Sequence, residues 1–111
     1  MGHLTYAGAT EYQIEDRMLA HLKTVIASKL RRQESFLVSW TVEPDAGSGR
    51  VSLWMSPSIP LEFRFLGSRP PQLNPVWLEV LADMAHTARG LVLVGEQEAE
   101  AIHRGEAPRE H

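Results

Sequence analysis

The sequence predicts a small α+β domain, and three features of it support that prediction. The chain has 111 residues, of which 43% are hydrophobic, enough for one core. Apolar residues recur with the helical period in two stretches, after residue 14 and after residue 74, and with a period of two in three stretches between them. These patterns predict the order β-α-β-β-β-α-β, with an antiparallel sheet and two helices packed on one of its faces.

The N-terminal part of the chain predicts a strand followed by a long helix. Residues 3–7 (HLTYA) form a short candidate strand that Gly8 ends. From Ile14 to Leu30 the apolar side chains follow the helical period, and we expect a helix of about five turns. Acidic residues lie in its first turn and basic residues in its last, as the helix dipole favours.

The middle of the chain predicts three antiparallel strands, at residues 35–42, 50–55 and 61–65, in which apolar side chains alternate with others. The connector 43–49 has the composition of a hairpin loop, and the two prolines in residues 56–60 make that link rigid. The sheet would therefore have one apolar and one mixed face.

The second helix has a clear start signal, because Asn74 is a favoured N-cap and Pro75 suits the first helical position. We expect this helix to run to about residue 88, with Gly90 as a left-handed residue behind its C-terminal end. The apolar run 91–94 (LVLV) predicts a short buried strand.

The net charge of −3 lies entirely in the last 16 residues, 96–111, which hold five Glu and two Arg. Residues 1–95 contain equal numbers of acidic and basic residues. We therefore expect a single α+β domain over residues 1–95, and an acidic, flexible tail over 96–111 whose deletion leaves the thermal midpoint nearly unchanged.

Sequence signatures of catalysis and of cofactor binding are absent. The chain has no cysteine, no phosphate-binding GxxxxGK[ST] loop, no GxGxxG, no HExxH and no GxSxG. Asp83 and His86 have the spacing of neighbours on a helix, but such a pair is more often a surface contact than a metal site. We predict no catalytic residue, no metal and no cofactor, and a cytoplasmic protein without a membrane partner.

Eight residues are candidates for binding a partner. A basic helix end can hold phosphate, although it also satisfies the last helical carbonyls. An arginine beside an aromatic side chain on an open sheet can stack a base or anchor a protein. We expect Arg50, Ser52, Trp54 and Arg64 to lie close together on the mixed sheet face, with Ser39 and Thr41, and Glu62 to pair with Arg64. The candidates are Lys23, Lys29, Arg31, Arg32, Arg50, Trp54, Arg64 and Arg69.

Residues 1–95 also resemble a family of short, uncharacterised actinobacterial proteins. The resemblance lies in the runs LTY, EDRMLAHLKTVIASKLRRQESFLVSW, GRVSLWMSPSIPLEFRFLGSRPPQLNPVWLEVL and GLVLV. Such proteins are often labelled ATP-dependent DNA ligases, and a ligase needs a nucleophilic lysine in a K-x-[DN]-G motif. Neither Lys23, followed by Thr-Val-Ile, nor Lys29, followed by Leu-Arg-Arg, fits that motif. The resemblance implies a bacterial cytoplasmic setting, and the missing motif leads us to expect no ligase activity.

Two functions from different classes follow. The first is a non-enzymatic interaction module that holds a protein partner, or a second copy of itself as a homodimer, through its sheet or the SRPP segment, residues 68–71. The second is an accessory protein that binds DNA or RNA through its basic residues. A small enzyme with an unrecognised site is a third alternative.

Overall fold

A computed structural model of the protein describes residues 1–42 and 49–106 and confirms the α+β class. Most of the predicted connector 43–49 and the end of the predicted tail, 107–111, lie outside the described residues. The elements are β1 (Gly2–Tyr6), β2 (Thr10–Ile14), α1 (Asp16–Arg31), β3 (Phe36–Thr41), β4 (Arg50–Met55), β5 (Leu61–Arg64), α2 (Pro75–Ala85), β6 (Leu91–Val92) and α3 (Glu96–His103).

The first three-stranded sheet, here called the N-terminal sheet, has the antiparallel order β2-β1-β5. Strand β2 was not predicted. It follows a tight turn in which Ala7 and Gly8 have φ of 57° and 69°, and Ala9 N–H donates to the Tyr6 carbonyl at 3.0 Å. Positive φ at both central residues is the hairpin geometry that matches strand twist. Ile14 therefore ends a strand and does not begin the helix.

The second three-stranded sheet, here called the central sheet, has the order β4-β3-β6, with β3 antiparallel to β4 and parallel to β6. The prediction of one sheet containing β3, β4 and β5 is therefore wrong. The link between β4 and β5 carries two prolines and leads the chain to β1, where Ala7 N–H donates to the Pro60 carbonyl at 2.9 Å. The Tyr6 hydroxyl donates to the Trp54 carbonyl at 2.7 Å, which joins the two sheets.

Both main helices begin at a side-chain cap. The Asn74 side chain accepts from the first N–H groups of α2, as predicted. The Glu15 carboxylate accepts from the first N–H groups of α1, a cap that was not predicted. Helix α2 ends at Ala85, earlier than predicted. Gly90 does adopt a left-handed φ of 85°, and a Cβ there would lie 2.6 Å from the Leu37 carbonyl oxygen, so the turn into β6 requires glycine.

Helix α3 occupies the first half of the region predicted as a flexible tail. Ala99 is fully buried, and Ile102, three residues later on the same face, packs against the core. These two apolar contacts, together with an ion pair made by Glu96, hold a segment whose overall composition is polar. The structured part of the chain thus extends beyond residue 95.

Both sheets and all three helices contribute to one hydrophobic core. The Tyr12 ring from the N-terminal sheet meets the Trp40 ring from the central sheet edge-on, with centroids 5.4 Å apart. Helix α1 packs against β1 and α2, and α2 in turn packs against β3, β6 and α3. Residues 65–73 run alongside another face of α1 and line a groove with it.

Candidate binding surface

Residues 65–73, here called the 65–73 segment, connect β5 to α2 without regular secondary structure. The start of this segment is held by Asp16 in the first turn of α1. The Asp16 carboxylate accepts hydrogen bonds from Gly67 N–H at 3.0 Å and from Leu66 N–H at 3.1 Å. Both backbone donors stabilise the ionised form of Asp16 and so lower its pKa below the ordinary value, with Gly67 having the larger effect.

The other end of the segment is held by two further side chains of α1. Arg17 Nη1 donates to the Gln72 carbonyl at 2.7 Å. His21 Nε2 accepts from Asn74 N–H at 2.8 Å. Asp16, Arg17 and His21 lie within the first two turns of α1, so a single rigid helix fixes both ends of the 65–73 segment.

His21 is fully buried, and its hydrogen bonds define its tautomer. Nδ1 lies 2.7 Å from the Arg17 carbonyl oxygen, which can only accept, so Nδ1 carries the proton. Nε2 then accepts from Asn74, as the neutral ring requires. The ring stacks on Trp77 with centroids 4.2 Å apart, and Trp77 Nε1 donates to the Val94 carbonyl at 3.0 Å.

Helix α3 joins this network through Glu96. Its carboxylate forms a bidentate pair with Arg17, with Nε to Oε1 at 3.1 Å and Nη2 to Oε2 at 2.7 Å, and it also accepts from Asn74 Nδ2 at 2.8 Å. The hydrogen bonds from Arg17, which has the larger effect, and from Asn74 lower the pKa of Glu96 to about 2. The same pair raises the pKa of Arg17. Glu96 therefore stays ionised and holds the Arg17 guanidinium toward the segment.

A groove of about 400 Å³ lies between α1 and the 65–73 segment, and we call it the α1 groove. Next to it, Leu66 is 78% exposed, and Leu73 in its wall is 39% exposed. Apolar side chains this exposed are typical of interaction surfaces when they are clustered. The groove is lined by Glu15, Asp16, Arg17, Ala20, Lys23, Thr24, Phe65, Gly67, Ser68, Arg69, Pro70, Pro71 and Leu73.

Two of the candidate binding residues, Lys23 and Arg69, meet in this groove although they are far apart in sequence. Lys23 Nζ lies 5.6 Å from the centre of the Phe65 ring, within cation–π range. The sequence analysis did not identify Phe65 or Leu73 as site residues. His21, a polar residue within the apolar stripe of α1, was the signal that this side of the helix meets another polar segment.

The other bases near the end of α1 do not form one basic surface. Lys29 is only 3% exposed, with Nζ 2.6 Å from His86 Nε2 and 3.7 Å from a Glu34 carboxylate oxygen, so the expectation of an accessible Lys29 is wrong. Arg32 Nε lies 3.5 Å from Glu34, and Arg31 is exposed. Lys29 can be buried because its aliphatic stem packs at the helix end and its amine contacts His86 and Glu34.

The outer face of the central sheet is a second candidate surface. The strand register places Ser52 opposite Ser39 and Arg50 opposite Thr41, so the predicted clustering of these residues with Trp54 is confirmed. The Ser39 and Ser52 hydroxyl oxygens are 2.8 Å apart. Trp54 is 53% exposed. A cavity of about 650 Å³ opens on this face, lined by Ser39, Trp40, Thr41, Gly49, Arg50, Ser52, Arg89 and Val92.

Arg64 lies on the N-terminal sheet and not on the central sheet. It lies opposite His3, so its predicted proximity to Arg50 is wrong. The predicted pair with Glu62 is confirmed, with Arg64 Nη2 donating to Oε2 at 3.1 Å. Because β5 joins β1 and not β4, this pair sits on the polar outer face of the N-terminal sheet.

Within residues 1–42 and 49–106, no group of three or more His, Asp or Glu side chains is placed to hold a metal ion. His86 directs Nε2 to Lys29. In the same two stretches of chain, every helix is too short or too polar to cross a bilayer.

Comparison with known proteins gives one match. No curated protein and no solved structure matches the chain. A family model, described as Domain of unknown function (DUF7882), matches residues 1–96, which include the α1 groove and Glu96. The chain therefore belongs to the DUF7882 family.

Proposed function

We propose that this protein is a non-enzymatic cytoplasmic interaction module that holds a protein partner in the α1 groove. One observation carries the proposal: α1 directs Asp16, Arg17 and His21 to backbone groups of a segment that has no regular secondary structure. A segment fixed in advance loses little conformational entropy when it binds, and this favours affinity.

The composition of the segment agrees with this function. Pro70 and Pro71 restrict its backbone. Leu66 and Leu73 expose apolar surface to solvent, and a partner that covers it would be stabilised by its burial. A rigid connection that presents apolar side chains is the usual arrangement of a recognition loop on a scaffold.

Selection of binders from a random peptide library displayed on phage tests the proposal. We expect the immobilised full chain to enrich specific peptides. Leu73→Asp should weaken the binding of those peptides about tenfold or more, because it places a charge in the apolar wall of the groove. Affinities of the synthetic peptides for each variant would be measured by fluorescence anisotropy.

Trp54→Asp is the matched control, because it makes the same kind of change on the outer face of the central sheet. It should leave peptide affinity within about twofold of the original. The proposal is overturned if no peptide is enriched, or if Trp54→Asp abolishes binding while Leu73→Asp does not. Thermal midpoints of both variants establish that each one folds.

Self-association is a second candidate function, favoured by the exposure of Trp54. The indole is 53% exposed on an edge strand, directly opposite Leu37. Covering it in a homodimer would remove apolar area from water. Light scattering tests self-association. If the original chain dimerises through this face, its mass is that of a dimer and the mass of the Trp54→Asp variant is that of a monomer.

Nucleic acid is the alternative partner. Lys23, Arg31 and Arg69 are exposed and support it. The burial of Lys29 and the position of Arg64 on the other sheet weaken it, because phosphate binding relies on several bases along one surface.

A further inference from the structure

The acidic and basic side chains that line the α1 groove differ in whether they already have partners in this chain. Two carboxylates line it, and both are directed at backbone donors of this chain. Glu15 accepts from Arg17 N–H at 3.1 Å and from Met18 N–H at 2.9 Å, as the cap of α1. Asp16 accepts from the N–H groups of the 65–73 segment. Neither carboxylate is directed toward a ligand in the groove.

The bases of the groove differ in this respect. Arg17 is engaged with Glu96 and Gln72. Lys23 and Arg69 have no hydrogen bond or ion pair with any side chain in the described part of the chain, and both line the groove. Lys23 on α1 and Arg69 on the 65–73 segment are therefore the charged groups of the groove that can pair with a ligand, one on each wall, while Glu15 and Asp16 keep their charge but are held by backbone N–H groups.

The groove is lined by apolar side chains as well as by these bases. Phe65, Pro71 and Leu73 form one wall and Ala20 of α1 forms part of the other. A volume of about 400 Å³ accommodates a few side chains of an extended chain and not a folded domain. The Phe65 ring is half-buried beneath the Lys23 amine, which leaves its face poorly placed for stacking a nucleic-acid base.

We propose that the α1 groove binds an extended, acidic segment of a partner protein, with carboxylates contacting Lys23 and Arg69 and an apolar side chain packed against Phe65 and Leu73. This inference rests on the proposed function and adds the chemistry of the partner. Complementary charge would set the orientation and the rate of association, and the apolar side chain would supply most of the affinity.

The test uses fluorescein-labelled synthetic peptide pools and fluorescence anisotropy on the full chain. The pools are acidic with apolar residues, acidic with polar residues, and basic with apolar residues; a DNA duplex and a single-stranded RNA are added as further probes. We expect the acidic apolar pool to bind most tightly and its affinity to fall as salt rises. Lys23→Glu and Arg69→Glu should each weaken it by about tenfold.

Arg31→Glu is the control, because it reverses an exposed base on the same helix outside the groove; it should change affinity by about twofold or less. Equal binding of the basic pool, tighter binding of either nucleic acid, or insensitivity to both charge reversals would each overturn the acidic preference. If Leu73→Asp still abolishes peptide binding in that case, the proposed function stands without this inference. If no pool and no displayed peptide binds, both are wrong.

Discussion

Replacing Trp77 with alanine is expected to lower the free energy of unfolding by about 4 kcal/mol, the usual size for removing a buried tryptophan. Trp77 is 2% exposed and packs in the common core. Its indole N–H donates to the Val94 carbonyl, and its ring stacks on His21. The substitution leaves a cavity, an unpaired carbonyl oxygen and an unsupported imidazole at one place.

Urea denaturation followed by far-ultraviolet circular dichroism measures this loss without relying on tryptophan fluorescence. Trp54→Ala is the control, since Trp54 is exposed on the central sheet, and it should change the free energy of unfolding by less than about 1 kcal/mol. Equal effects of the two substitutions would mean that Trp77 does not occupy the core position described above.

Deleting residues 96–111 is expected to destabilise the protein by roughly 3 kcal/mol, in contrast to what the acidic composition suggests. The deletion removes Ala99 and Ile102 from the core and exposes the surface that they cover. Burying apolar side chains of this size stabilises a protein by roughly 2–3 kcal/mol. It also removes the Glu96 carboxylate from Arg17 and Asn74. Thermal unfolding and urea titration of the shortened chain measure the change.

A shorter deletion, of residues 107–111 alone, is the matched control and should leave the thermal midpoint almost unchanged. Glu96→Gln in the full chain separates the ion pair from the apolar contacts, because it keeps α3 and the size of the side chain. A thermal midpoint that is the same with and without residues 96–111 would show that α3 contributes nothing to stability.

Both main helices and the start of α2 were predicted correctly from local sequence, although the start of α1 and the end of α2 differ by a few residues. Asn74 and Pro75 specify the start of α2, and the apolar period up to Leu30 specifies α1. Strand β2 was missed because only Tyr12 and Ile14 of its five residues face the core, too few for a clear alternation. The partner of β5 could not be predicted, since an alternating strand fits either sheet and its pairing with β1 is a long-range choice.

The candidate surface was predicted only in fragments. Lys23, Arg69 and the SRPP segment were identified separately, but nothing in the sequence brings residue 23 close to residue 69. The pair of Arg17 and Glu96 joins residues separated by 79 positions, and a composition argument placed Glu96 in a solvated tail. Lys29 was misjudged because a charged side chain at a helix end is usually exposed.

Helix α1 holds the 65–73 segment in one conformation, and amide hydrogen exchange measures how firmly it does so. We expect the amides of Leu66, Gly67 and Asn74 to exchange as slowly as amides in β1 or α2, because each donates to a side chain of α1. Asp16→Ala should release Leu66 and Gly67 while Asn74 stays protected by His21. If all three amides of the original chain exchanged at the rate of an unstructured peptide, α1 would not hold the segment.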